Sequence, residues 1–232
     1  VVGYIMQCYV GTSGWLYDWN KAGSLDWYIE NSGLNAIELN ASFYRFPFPN
    51  QVKSWAAKGA DLAWSVKVNR LITHVHMLNE KSINLFENFL ELFKPLDNYI
   101  SFYLFQMPPK FDSTLASRLE EFARLFNAQK FAVEFRNESW YNYDFSKLDF
   151  KGSVVSLDSP EVRKIWAGNG IIYMRFHGRR EWYSYAYSKA ELKSIADELF
   201  ALKPKNVFAF FNNDHNMLEN AREFYSEIKK AK

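Results

Sequence analysis

A carboxylate and a guanidinium stand two residues apart in the apolar run KFAVEFRNESW, residues 130–140. If this run is a strand, its side chains alternate between two faces, so Glu134 and Arg136 share one face. A strand this apolar should be at least partly buried. Burying a charge costs free energy unless the charge is paired and hydrogen-bonded. The end of this run is therefore a candidate for proton transfer or for anion binding.

Charged and amide residues recur on one face near the ends of several other apolar runs. With the pair above they are Glu38, Lys67, Gln106, Glu134, Arg136, Asp158, Arg175, His177 and Asn212. The candidate catalytic residues among them are Glu38, Glu134, Asp158 and His177. We expect proton transfer to involve His177, because an imidazole titrates near neutral pH, together with Glu134. Acids and bases nearly balance in this set, so a buried network that only fixes the fold is the alternative.

Cations and aromatic rings gather at or just beyond the ends of these runs. The cations are Lys67, Arg70, Arg136, Arg175, Arg179 and Arg180, and the aromatic residues are Trp15, Tyr17, Trp19, Phe43, Tyr44, Trp140, Tyr141, Trp182, Tyr183 and Tyr185. Guanidinium groups suit phosphate or carboxylate, and aromatic faces suit a nucleobase or a sugar ring. We expect an anionic ligand on a rim that includes Trp140. The alternative is that these rings pack on helices.

A metal site would need several carboxylates or imidazoles to converge. The candidates are Glu38, Glu134, Asp158, His177, Asp214 and His215. Cations on the same faces would compete for these carboxylates, so we predict no cofactor and name no metal ligand, while a divalent metal ion stays open. His74 and His76 form an H-x-H pair that we interpret as solvated loop histidines.

The elements that would position these residues alternate along the chain. Strands are predicted at 8–12, 35–42, 63–69, 101–106, 131–136, 153–158, 171–177 and 206–212, from their β-branched and aromatic residues. Helices are predicted at 26–31, 51–58, 81–93, 115–126, 189–202 and 218–230, with short helical turns at 143–148 and 161–166. Eight alternating units predict a single α/β domain, a TIM-like (β/α)8 barrel with some short or missing crossover helices. An open doubly wound sheet is the runner-up.

Composition is consistent with one large core. The chain has 232 residues, of which 48% are hydrophobic and 19% aromatic. We predict one domain over 8–232, with 1–7 as an N-terminal extension or the first residues of strand 1. The single cysteine, Cys8, is expected in the core and fits a reducing cytoplasm. No membrane segment or signal peptide is predicted, and the net charge of +2 is too weak to indicate nucleic acid by itself.

The sequence resembles the YecE-like family (domain of unknown function 72) through motifs that follow one another along nearly the whole chain. They are GTSGW at 11–15, IELNASFYRFP at 37–47, WSVKVNRLITH at 64–74, FQMPPKF at 105–111, VEFRNESW at 133–140, YMRFHG at 173–178, YSY at 183–185 and FFNND at 210–214. The resemblance implies a TIM barrel and no particular activity. Members of that family often have His where this chain has Asn137, so a proton carrier is not expected there.

The candidate ligand-binding residues are Ser13, Trp15, Asn40, Tyr44, Lys67, Gln106, Arg136, Trp140, Arg175 and Asn212. If the predicted strands are parallel, these residues lie toward the C-terminal mouth of the barrel, where barrel enzymes place their active sites. We expect an enzyme acting on a phosphorylated sugar, a nucleotide or a nucleic-acid fragment. Hydrolysis and isomerisation of a phosphorylated or sugar-containing substrate are analogies from other barrels, which a fold alone does not transfer. The second hypothesis is a non-catalytic nucleic-acid or ligand-binding module; no oligomeric state is predicted.

Overall fold

The computed structural model describes residues 6–230, in which strands alternate with helices. The strands are β1 (Gln7–Thr12), β2 (Ala36–Leu39), β3 (Ala63–Lys67), β4 (Ile100–Gln106), β5 (Phe131–Glu134), β6 (Ser153–Asp158), β7 (Arg163–Lys164), β8 (Ile171–Phe176) and β9 (Asn206–Phe211). The α-helices are α1 (Leu25–Asn31), α2 (Ala41–Tyr44), α3 (Pro49–Lys58), α4 (Glu80–Phe93), α5 (Ala116–Arg124), α6 (Lys189–Ala201) and α7 (Met217–Lys230).

Eight of these strands form a closed barrel. Their hydrogen-bonded order is β5-β4-β3-β2-β1-β9-β8-β6, and a further pairing between β5 and β6 closes the ring. The pairings of β1 with β2 and β9, of β4 with β3 and β5, and of β6 with β5 and β8 are parallel, as is that of β8 with β9. The predicted (β/α)8 fold is therefore confirmed, and the open doubly wound sheet is excluded.

The chain divides into two compact units. The first unit comprises Val1–Glu38, Asp61–Ala63 and Val155–Lys232, and the second comprises Leu39–Ala60 and Trp64–Val154. In the first unit, Phe176 of β8 stacks on Phe211 of β9 at 4.1 Å between ring centroids and meets Phe224 of α7 at 5.1 Å. Helix α6 begins at the N-cap Ser188, whose side chain forms a capping box with Glu191.

Phenylalanine forms the core of the second unit. The buried Phe86 of α4 lies against aromatic rings of β4, α5 and β5. Those partners are Tyr103, Phe105, Phe122 and Phe131, with ring centroids 5.2–5.8 Å away. Helix α4 starts where the Asn79 side chain accepts from the Lys81 amide, and it ends before Pro95. Much of the high aromatic content of the sequence is accounted for by this packing.

Three local predictions differ from the structure. The second strand ends at Leu39 rather than residue 42, because the Ser42 hydroxyl donates to the carbonyls of Leu39 and Lys67 as the chain turns into α2. The fifth strand ends at Glu134, so Arg136 lies beyond it. The predicted helical turn at 161–166 is instead the short strand β7, which pairs antiparallel with β6.

The remaining predictions concern the N-terminal residues, Cys8, membrane-spanning helices and the domain boundary. Gln7 begins β1, and residues 1–5 lie outside the described residues, so the prediction for 1–7 stays a prediction. Cys8 is buried, as predicted. No helix among residues 6–230 is both long enough and apolar enough to cross a membrane. The single-domain boundary at 8–232 stays a prediction.

Candidate functional site

Side chains from three segments of the second unit surround His74. Lys67 is the last residue of β3, Arg70 precedes the π-helical turn Leu71–Val75 that carries His74, and Arg136 follows β5. The Lys67 ammonium lies over the Phe43 ring, 4.4 Å from its centroid, and the His74 ring meets the same ring edge-on at 4.9 Å. We call Lys67, Arg70, His74 and Arg136 the cationic cluster.

Positive charge dominates the surroundings of the half-buried His74. Burial first, and then the charges of Lys67, Arg70 and Arg136, lower the pKa of His74 from 6.5 to about 4. Its Nδ1 lies 2.9 Å from the Thr73 hydroxyl oxygen. His74 is therefore a neutral imidazole at pH 7, and an anion bound beside it would relieve the same repulsion that lowers its pKa.

Glu134 and Arg136 form the pair that strand alternation predicts. The Arg136 Nε donates to Glu134 Oε1, the Glu134 side chain is fully buried, and that of Arg136 is 10% exposed. The carboxylate is therefore compensated locally, while the guanidinium keeps an edge toward solvent. The charges of Lys67, Arg70 and Arg136 thus act on His74, and the Glu134 carboxylate is bound to Arg136.

The backbone around the cluster is fixed by short polar contacts. The Ser42 hydroxyl donates to the Lys67 carbonyl at 2.6 Å, and the Asn69 amide donates to the Ser42 carbonyl at 2.9 Å. These bonds tie α2 to the segment after β3 and hold Tyr44, which is 74% exposed, next to Phe43. Asn40 and Gln106 are half-buried at the ends of β2 and β4.

Trp140 is not on a rim, contrary to the sequence prediction. Its side chain is fully buried, its indole N–H donates to the Phe111 carbonyl at 2.8 Å, and its ring stacks on Phe135 at 3.9 Å. The indole is therefore a buried packing contact of the loop that follows β5. A single hydrogen-bond acceptor and apolar neighbours decide this placement, and neither is visible in the local sequence.

In the first unit, Glu38 and Arg175 form a fully buried ion pair. Arg175 Nη2 donates to Glu38 Oε1 at 2.6 Å, and the Ser13 hydroxyl donates to the same oxygen at 2.6 Å. The Tyr173 hydroxyl donates to Oε2 at 2.8 Å. Three donors thus converge on Glu38, which compensates the cost of burying its charge.

His177 extends this network and is covered by aromatic rings. Its Nε2 lies 3.4 Å from Arg175 Nη1, and its Nδ1 lies 3.4 Å from the Asn212 amide nitrogen. The rings of Trp182 and Tyr183 lie against it at 5.2 and 5.6 Å. The imidazole has no exposed surface, so a ligand would reach it only after these rings move.

Asp158 anchors the loop that follows β8. Both of its oxygens accept from Arg179 Nε at 3.1 Å, Oδ2 lies 3.2 Å from Arg163 Nε, and Oδ1 accepts from the Tyr187 hydroxyl at 2.8 Å. The fully buried carboxylate is thus compensated by two guanidinium groups and one phenol. Trp15, also in the first unit, is buried, and its carbonyl accepts from the Asn20 amide.

The contacts described above link several predicted site residues within each unit. In the first unit, Ser13, Glu38, Arg175, His177 and Asn212 form one network, whereas Asp158 belongs to another. In the second unit, Lys67, Tyr44, Glu134 and Arg136 lie in or beside the cationic cluster. The sequence prediction for His74, a solvated loop histidine, is wrong, because His74 lies half-buried in the π-helical turn Leu71–Val75 against the Phe43 ring. Among residues 6–230, no three His, Cys, Asp or Glu side chains are grouped so that they could hold a metal ion.

Comparison with known proteins places the chain among barrels without an assigned reaction. A family model described as a protein of unknown function, DUF72, matches residues 9–232. A DUF72 family protein from Thermotoga maritima MSB8 is similar, with a TM-score of 0.80 at 26% identity over 97% of this chain and 100% of that chain. A DUF72 family protein from Enterococcus faecalis V583 has a TM-score of 0.82 at 20% identity over 96% of each chain.

A more distant structure shares the fold. A xylose isomerase domain containing protein from Salmonella typhimurium LT2 has a TM-score of 0.57 at 14% identity, over 99% of this chain and 97% of that chain. At this identity the similarity shows a common barrel and nothing about substrate. No curated protein was found to match the sequence.

Proposed function

The chain belongs to the DUF72 family of proteins of unknown function, a membership that assigns no reaction, and we propose that it is an enzyme whose cationic cluster binds an anionic ligand. The observation that carries the proposal is that the Lys67 ammonium and the half-buried His74 ring contact the same Phe43 ring, while the charges of Lys67, Arg70 and Arg136 all act on His74. Guanidinium groups donate in pairs to phosphate or carboxylate oxygens, and an ammonium adds a point charge. A ligand with either group would complement this site.

The cluster also contains a group that can transfer a proton. His74 is neutral at pH 7, so it can accept a proton from a bound substrate, and a bound anion would stabilise the imidazolium that results. Glu134, as a carboxylate paired with Arg136, orients the guanidinium toward the ligand. His74 is better placed for this role than His177, because it is only half-buried whereas His177 is fully covered.

The substrate class that fits is a phosphorylated sugar, a nucleotide or a nucleic-acid fragment, and the reaction class is hydrolysis or isomerisation. Each of these ligands offers a phosphate to the cations, and those that contain a nucleotide also offer a planar base to the neighbouring aromatic side chains. Proton transfer by a neutral imidazole serves both reaction classes. The chemistry of the ligand is therefore specified in more detail than the reaction.

Calorimetric titration with inorganic phosphate tests the binding step. Arg70 is exposed, so Arg70→Gln removes one cation without leaving the buried Glu134 unpaired. We expect phosphate to bind the wild type and to bind Arg70→Gln about tenfold more weakly, the effect of one charged hydrogen bond. Lys53→Gln, at an exposed position of α3, is the matched control and should bind like the wild type. Equal affinity of Arg70→Gln and Lys53→Gln would refute the assignment of the site.

A second candidate function is a non-catalytic nucleic-acid or ligand-binding module. The exposure of Tyr44 and Phe48, at 74% and 65%, favours it, because rings beside cations bind single strands without any chemistry. The two candidates differ in the effect of His74→Gln. An enzyme should lose turnover of a phosphate ester while retaining phosphate binding, whereas a binding module shows no turnover before or after the substitution.

A further inference from the structure

We infer that the ligand of the cationic cluster is a nucleotide, free or at the end of a single strand, and that its base stacks on the exposed ring of Tyr44. The inference rests on the proposed function and specifies its substrate class. The base would make a second contact in addition to those of the phosphate. This contact is with an aromatic face, which binding of an anion alone does not require.

Phe43 joins the phosphate-binding groups to the stacking surface. Its ring contacts the Lys67 ammonium at 4.4 Å and the His74 ring at 4.9 Å. The Phe43 ring also meets the Tyr44 ring at 5.1 Å with an interplanar angle of 88°. The one Phe43 side chain therefore contacts both the exposed ring and the Lys67 ammonium. A nucleotide has a matching arrangement, because one sugar separates its phosphate from its planar base.

The Tyr44 ring is presented on a fixed backbone. Helix α2 is held at Ser42, whose hydroxyl donates to the Leu39 and Lys67 carbonyls and whose carbonyl accepts from Asn69. Tyr44 is nevertheless 74% exposed, so a large aromatic face stays in water. A ring that is both exposed and held in place loses little conformational freedom when a base stacks on it.

The neighbouring residues repeat the combination of a cation with an exposed ring. The Arg45 guanidinium lies over the Phe48 ring, 5.7 Å from its centroid, and Phe48 is 65% exposed. Aromatic faces interspersed with arginines are the usual means by which proteins bind unpaired bases. A phosphorylated sugar without a base would use the cationic cluster but would gain nothing from Tyr44, which makes the two ligand classes distinguishable.

Calorimetric titrations with ribose 5-phosphate and adenosine 5′-monophosphate separate the base from the phosphate. For the wild type we expect the nucleotide to bind about 5- to 150-fold more tightly than the sugar phosphate, the range for stacking of one base. Tyr44→Ala should abolish this ratio while leaving the affinity for ribose 5-phosphate unchanged, and Tyr44→Phe should preserve the ratio. Tyr99→Ala is the control, because Tyr99 lies at the opposite end of the strands, just before β4.

The outcomes distinguish this inference from the proposed function. If ribose 5-phosphate and the nucleotide bind the wild type equally, or if Tyr44→Ala weakens both alike, the stacking inference is wrong and the anion site stands. If neither compound nor inorganic phosphate binds, the proposed function fails as well. A 5′-phosphorylated tetranucleotide that binds more tightly than the mononucleotide would identify a strand end as the ligand, and equal affinity would identify a free nucleotide.

Discussion

The environment of His74 predicts that part of the protein's stability depends on pH through this one residue. An unfolded chain binds a proton at this imidazole near pH 6.5, whereas in the folded chain burial and the charges of Lys67, Arg70 and Arg136 lower the pKa to about 4. Between these values the unfolded state holds more protons than the folded state. The stability that His74 contributes is therefore retained above pH 6.5 and is lost as the pH falls toward 4.

The size of the effect follows from the displacement of the pKa. A change from 6.5 to about 4 corresponds to about 3 kcal/mol between the two protonation states. Because His74 is half-buried, solvent screening reduces the expected loss to about 1–2 kcal/mol. His74→Asn removes the titrating group, so this variant should lose about 1–2 kcal/mol less than the wild type on the same change of pH.

Urea unfolding at pH 7.0, 5.5 and 4.5 measures this difference. His215→Asn controls for the replacement of a histidine as such, since the His215 side chain is 71% exposed in the first unit. Histidine NMR provides a direct check, because the His74 ring should titrate near pH 4 and Arg70→Gln should raise that midpoint. If His74→Asn and the wild type lose equal stability, or if the His74 ring titrates near 6.5, the cations do not act on His74 as the structure indicates.

Two further predictions concern the first unit. Arg175→Leu should destabilise the protein by about 3–5 kcal/mol, because it leaves the Glu38 charge buried without its partner; Glu38→Leu in the same chain should restore much of the loss, and urea unfolding that shows no recovery would argue against a charge effect. Gly11→Ala should cost about 1–3 kcal/mol in thermal unfolding, because the new Cβ would lie 2.3 Å from the Ala36 carbonyl oxygen of β2. Gly168→Ala, where no atom lies within 4 Å, is its control and should not be destabilising.

The barrel strands could be predicted from the sequence because they are buried on both faces. Strands of this kind read as short apolar runs, and all eight barrel strands lie where such runs occur. The ninth strand, β7, is not one of these eight and could not be predicted in this way, because it consists of Arg163 and Lys164. Its pairing with β6 is accompanied by an ion pair between Arg163 and Asp158. A charged dipeptide carries no local strand signal, so only the folded neighbour determines its conformation.

The candidate site could be predicted only where its contacts are local. Glu134 and Arg136 are two residues apart, so alternation predicted that they share a face, and they form an ion pair although β5 ends at Glu134. The partners Glu38 and Arg175 are 137 positions apart, and nothing in either segment identifies the other. His74 packs against Phe43 of α2, from which α3 and β3 separate it in the chain, so its local H-x-H context predicted only a solvated loop.

Charge compensation, rather than residue type, is the reason for proposing the cationic cluster instead of the buried carboxylates as the ligand site. In the first unit, Glu38 receives three donors and Asp158 receives two guanidinium groups and a phenol, so each carboxylate has the partners that burial demands. In the second unit, burial first and then the charges of Lys67, Arg70 and Arg136 lower the pKa of His74, so these cations act on the imidazole. A fold gains nothing from repulsion between like charges, so the cationic cluster is the part of the molecule whose arrangement a bound anion would explain.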